Sequence, residues 1–150
     1  MAPKAKWRVF LDTSAFVAGV VSAKGAAREV LRLAEAQVIE LVLSEQVLVE
    51  MDRVLEEKFP DHIHDFRVFV KKLRPEVVDD PDQEQLSRFQ SVIEKGDVAI
   101  LAAAHSAKVD GLVTGDKNDF LKPKVKDSIS FPVFDPGEFL KVFREWLDKR

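Results

Sequence analysis

The chain has 150 residues, 46% of them hydrophobic and 33% charged, and carries a formal net charge of −3. That length suits one domain burying roughly two-thirds of its unfolded surface; no apolar run nears the ~18 residues of a membrane span, and slight acidity gives no global attraction to nucleic acid or an acidic membrane. The absence of cysteine excludes disulfides and thiolate metal sites, and a cytoplasmic location is expected, because the basic start at residues 1–6 leads into a strand that meets Asp12 too soon for a signal-peptide core.

Trp7, Val9, Phe10 and Leu11 make a nearly continuous apolar run, the pattern of a strand covered on both faces as in a parallel sheet. The run stops at Asp12, followed by Thr13 and Ser14. A short helix is predicted over 15–21, a loop over 22–25, and a helix over 26–36 with Val30, Leu31 and Ala34 inward. A second strand at 40–43 completes a strand-helix-strand unit, which implies a right-handed crossover and a parallel sheet. Ser44 caps a helix that ends at Phe59 ahead of Pro60, with Val47, Leu48, Met51, Val54 and Leu55 as its core stripe and Glu50 beside it.

Residues 61–73 repeat the helical pattern through Ile63, Phe66, Val70 and Leu73, and Val68 and Phe69 make this segment unusually apolar. A fully buried helix is the first expectation and contact with another subunit the second. A short strand and turn follow at 75–81, then a helix over 83–94 with Leu86, Phe89 and Ile93 inward. Lys95-Gly96-Asp97 interrupts the chain before a small-residue helix from Val98 through Ala104. A strand at 111–114 ends in Gly115-Asp116-Lys117-Asn118-Asp119-Phe120, and a basic loop, 122–126, leads to a strand at 131–134. Pro132 argues for an edge position there. Asp135, Pro136 and Glu138 start a final helix whose inner face is Phe139, Leu140, Phe143, Trp146 and Leu147. No repeat or interdomain linker interrupts this order, so one domain is expected.

Asp12 and Asp116 each follow a strand, and Asp97 opens the helix before the second of them. In a parallel sheet the strand carboxyl ends share one edge, the edge where ligands bind in open α/β folds. Capping explains Asp12 and Asp97 equally well, and a solvated surface position explains Glu50, two turns into its helix. Four gathered carboxylates would repel and raise one another's pKa values, a conflict that a divalent cation removes. Oxygen donors point to Mg²⁺ or Mn²⁺, which would polarise a phosphodiester and activate a water for in-line attack. Ser14, Thr13 and Thr114 offer hydroxyls to orient a ligand, a water or a carboxylate, or serve only in turns and caps.

These stretches together, Val9 to Ser14, Ser44 with Glu50, Asp97 to Ala104, Val113 to Phe120 and Pro136 to Leu140, resemble the PIN-domain family of metal-dependent ribonucleases, which includes many toxins of toxin–antitoxin pairs. The resemblance covers nearly the whole chain and implies a three-layer, Rossmann-like α/β sandwich. It implies metal-binding carboxylates at Asp12, Glu50, Asp97 and Asp116, and a further catalytic acid at Asp119, with the division between Asp116 and Asp119 left open. It also implies an RNA substrate, a cognate antitoxin and a homodimer helped by the Phe66 and Phe69 helix, with no membrane role. Lys117, Lys122, Lys124 and Lys126 are nominated for RNA phosphates; His62, His64 and His105 receive no role. Two alternatives stand beside this reading: a PIN-like module that binds RNA or protein without cutting, and a haloacid-dehalogenase-like phosphohydrolase. The second matches Gly115 to Asp119 but lacks its second early acid, since Ser14 stands there.

Overall fold

The structure, a computed structural model, describes residues 6–149; the basic start at residues 1–5 lies outside them, as does the side chain of Lys117. The apolar runs become β1 (Trp7–Leu11), β2 (Ile39–Ser44), β3 (Glu76–Val78), β4 (Gly111–Val113) and β5 (Val133–Phe134), all parallel in the order β3-β2-β1-β4-β5. Val9, Phe10 and Leu11 are all fully buried, as are Leu112 and Val113. Successive strand side chains point to opposite faces, so burial without alternation requires cover on both. Helices supply that cover, giving a three-layer α/β sandwich. Pro132 precedes β5 at the sheet edge, as its missing N–H requires.

The helices are α1 (Thr13–Val21), α2 (Ala26–Glu35), α3 (Glu45–Lys58), α4 (Ile63–Lys72), α5 (Gln83–Ser87), α6 (Lys95–Ser106), α7 (Lys117–Phe120), α8 (Pro123–Ser128) and α9 (Pro136–Asp148). Ser44 caps α3 by accepting from the Val47 N–H at 3.2 Å, and Pro60 follows its end. Asp135 and Glu138 form a reciprocal capping box at the start of α9, with bonds of 2.7 and 3.2 Å. Trp7 of β1 meets Phe139, Phe143 and Trp146 edge-on at 6.0, 6.1 and 5.7 Å, which ties α9 to the central strand. The first two helices also approach closely. A Cβ at Gly19 of α1 would lie 2.6 Å from the Leu31 Cδ1 of α2.

Four expectations change. The first helix starts at Thr13 rather than at residue 15, directly after Asp12, its cap. The segment 83–94 is helical only to Ser87; the N–H groups of Phe89 and Val92 then bond three residues back, to Leu86 and Phe89, a turn geometry that buries Phe89 beside His105. The basic loop at 122–126 winds into α8 around Pro123 and buried Val125. Finally, α4 is not fully buried: only Val70 within it is, while Phe66 and Phe69 are half-buried and Val68 is exposed.

Candidate metal centre

From β1 the chain moves outward through β2 to β3, then returns to place β4 and β5 on the other side of β1. The boundary between β1 and β4 is therefore the topological switch point, where the connections diverge and leave a crevice at the strand carboxyl ends. Pairing of Leu11 with Val113 sets Asp12 against Thr114 one step beyond the ladder. Asp12 is only 5% exposed, and its carboxylate accepts from the Ala15 N–H and the Ser14 hydroxyl, both at 2.9 Å, and from the Gly115 N–H at 3.4 Å. The fully buried Thr114 hydroxyl donates to its other oxygen.

Asp12 is thus a helix cap that also lies at the mouth of the switch-point crevice. Thr114 Oγ1 in turn accepts from the Asp116 N–H at 2.9 Å, so one threonine fixes the first acid and the loop carrying the next. Gly115 makes this crossing feasible, because a Cβ there would stand 2.7 Å from Ser14 Oγ.

Asp97 is the third residue of α6 and does not cap it; Glu94 holds the cap position, and the Asp97 N–H donates to the Glu94 carbonyl at 2.9 Å. The capping explanation is thereby removed. Its half-buried carboxyl is pushed up to about 6, first by burial, then by the negative charges of Asp119, Asp116 and Asp12 and by a hydrogen bond with Asp119. Asp119 is itself pushed above the ordinary carboxylate value, chiefly by its hydrogen bond with Asp116, while Lys122 and the bond with Asp97 act the other way. Asp97 therefore senses the three other acids predicted at this edge, Asp12, Asp116 and Asp119.

Glu50 reaches the rim by a separate route. Its Oε2 accepts from the Thr13 hydroxyl and its Oε1 from Gln46 Nε2, each at 3.0 Å, so it is a half-buried, anchored acid rather than a solvated one. It is not among the charges acting on Asp97. Gln46 escaped the sequence reading, and Gly115 entered it only as part of the run from Gly115 to Phe120. The helical i, i+4 spacing of Gln46 and Glu50 and the glycine directly after a strand were their available signals.

The donors suit a hard divalent cation in kind. They are oxygens only, they are anionic, and their crowding, visible at Asp97, is the conflict such a cation relieves. Among the described residues, no three acidic or imidazole side chains already stand as an ion-holding group. Asp12 has both oxygens engaged, whereas Asp116 is exposed and Asp97 and Asp119 are half-buried, so adjustment falls to those three. Lys122, Lys124 and Lys126 are exposed, and the Lys117 side chain lies outside the described residues. His62 and His105 pack on Phe66 and Phe89 at 6.1 and 5.2 Å. No described helix is long and apolar enough to cross a membrane.

The sequence model of a family described as PIN domain matches residues 8–118. Comparison with curated proteins gave no match. Among solved structures the chain is similar to VapBC2 from Rickettsia felis bound to a DNA fragment from its promoter, at 16% identity and a TM-score of 0.61, covering 85% of this chain and 99% of that one. It is also similar to PAE2754 from Pyrobaculum aerophilum, at 15% identity and a TM-score of 0.57 over 92% and 96% of the two chains. A third is VapC20 of Mycobacterium tuberculosis, a toxin cleaving the sarcin–ricin loop, at 14% identity and a TM-score of 0.51 over 73% and 91%. Such identities establish a common fold.

Proposed function

The chain belongs to the PIN-domain family, and on that footing we propose that it is an endoribonuclease dependent on Mg²⁺ or Mn²⁺. The observation that carries this reading is the convergence of Asp12, Asp97, Asp116 and Asp119 at the switch point, with Asp97 pushed up to about 6 by burial and by its acidic neighbours. Bound there, a divalent cation supplies Lewis-acid polarisation of the scissile phosphate and a lowered pKa for an attacking water. The rest is the chain's own work. Asp12 is held in one orientation by Ser14, Ala15 and Thr114, so it presents the same edge before and after substrate arrives. Asp97, Asp116 and Asp119 adjust around it, and Glu50 anchors the rim through Thr13. Lysines near Asp119 draw the polyanion toward an otherwise acidic edge.

The test is cleavage of a mixed single-stranded RNA by the purified protein with Mn²⁺ or Mg²⁺, with chelator, and by Asp97→Asn. Metal-dependent cutting that vanishes in the variant is expected. Metal binding without turnover would move the assignment to a non-catalytic RNA- or protein-binding module. The dehalogenase-like alternative is not retained, since Ser14 only hydrogen-bonds Asp12 and supplies no second acid.

We further propose that the protein acts as the toxin of a toxin–antitoxin pair in the cytoplasm, supported by its likeness to VapBC2 and VapC20. A cognate antitoxin is then its partner. A homodimer through the α4 face is supported by exposed Val68 and half-buried Phe66 and Phe69; light scattering is expected to give twice the chain mass, and a monomer after Val68→Glu.

A further inference from the structure

A small recess opens beside the acidic edge and shares Asp119 with it. It has a volume of about 280 Å³ and is lined by Ser91, Val92, Ile93 and Glu94 from the turn before α6 and by Asp119, Lys122 and Lys124 from the α7–α8 segment. That volume lies just below the roughly 300–1,000 Å³ typical of clefts for drug-sized ligands, so one nucleotide residue is about as much as it holds. Its lining is divided by chemistry. Val92 and Ile93 are half-buried and apolar, whereas Lys122 and Lys124 are exposed cations.

Asp119 belongs to both the recess and the acid cluster, so an occupant touches the reacting centre's edge. Lys122 lies close enough for its charge to act on Asp119. The chain carries a net charge of −3, so an RNA strand is not attracted globally and must be met by local cations such as these.

We propose that this recess is a subsite for a nucleotide flanking the scissile phosphate of single-stranded RNA. Lys122 and Lys124 hold that nucleotide's phosphate, and its base lies against the Val92 and Ile93 edge. This deepens the ribonuclease reading and rests on it. Among the described residues the lining has no aromatic ring, so the base is held by aliphatic contact and by the polar atoms of Ser91 and Glu94 rather than by the stacking common in single-strand sites. Both lysines are positioning residues: they fix the strand's register against Asp119 without touching the reacting bond.

Two readouts test this on the full chain: anisotropy of a fluorescein-labelled single-stranded RNA 12-mer in Ca²⁺, and initial cleavage rates in Mn²⁺. Lys122→Ala with Lys124→Ala is expected to weaken binding at least tenfold, to raise KM by a similar factor and to leave kcat within about twofold. The slope of log affinity against log salt is expected to become shallower by ~0.7 for each phosphate deprived of its lysine. The double variant Lys141→Ala with Lys149→Ala makes the same charge change elsewhere and should behave as wild type. Ser91→Trp, at an exposed position, fills the recess and keeps both lysines; binding should again fall at least tenfold.

Equally weakened binding in both lysine pairs, or unchanged or tighter binding by Ser91→Trp, would overturn the subsite. RNA binding that depends on the recess without cutting would sustain the subsite and defeat the ribonuclease reading. No RNA binding by the wild type would defeat both.

Discussion

Replacing Asp97 by Asn is expected to abolish cleavage and yet stabilise the metal-free protein at neutral pH. The Asp97 carboxyl rises from an ordinary 3.8 to about 6 in the fold, so folding favours its protonated form. Below about pH 4 both folded and unfolded chains hold the proton and no penalty exists. As pH rises toward 6 the unfolded chain releases it first, and stability falls across that window. The difference corresponds to at most about 3 kcal/mol, which solvent screening at a half-buried site reduces to about 1–2 kcal/mol. Asn keeps the shape and cannot ionise. For a domain of this size each kcal/mol moves the thermal midpoint by about 2–4 °C, so the variant should melt about 2–8 °C above wild type at pH 7.5. The assay is thermal unfolding followed by circular dichroism in chelator between pH 4 and 8. The gap should close at the acid end, and Mn²⁺ should restore the wild type alone, as a ligand binding only the folded state does. A variant less stable than wild type by the same amount at every pH would refute the reasoning.

Thr114→Val should damage both stability and activity, because it preserves shape while removing the fully buried hydroxyl that donates to Asp12 and accepts from the Asp116 N–H. Stranding those groups costs about 1–3 kcal/mol; denaturant unfolding should show it, and cleavage should fall at least tenfold. Gly19→Ala separates fold from chemistry. Its new Cβ would stand 2.6 Å from Leu31 Cδ1 and 3.0 Å from the Ala27 carbonyl oxygen, and the backbone oxygen cannot yield. Overpacking of this kind costs about 1–3 kcal/mol, so the midpoint should drop while kcat measured well below it stays at the wild-type value.

Much of the acidic edge was readable because strand burial and strand ends leave local signatures. A run such as Val9-Phe10-Leu11 is recognisable without knowing its neighbours, and parallel pairing alone then brings Asp12 and Asp116 to one edge. Proline at 132 and the Asp135 to Glu138 cap were equally local. Depth was not. Phe66, Val68 and Phe69 share the spacing of a core helix, but whether a second layer covers them depends on distant elements, and here the cover is partial. Leu86, Phe89 and Ile93 likewise keep helical spacing although only Phe89 is buried and the backbone there turns instead of continuing. Asp97 looked like a cap since the glycine before it suggested a break; α6 runs through that glycine, and Glu94 holds the cap position instead. Glu50 needed a side-chain contact with Thr13 that no single-strand pattern announces.

The bond from Thr114 to Asp12 joins residues 102 positions apart, and β4 must be inserted beside β1 before it forms. On a ribosome adding about 5–20 residues per second, some 5–20 seconds separate synthesis of the first acid from synthesis of the threonine that locks it. During that interval no partial chain holds an assembled acidic edge. A product that cut RNA would thus stay harmless to the message and the ribosome making it until the segment carrying Thr114 and Asp116 had emerged, a form of self-protection written into strand order rather than supplied by a partner.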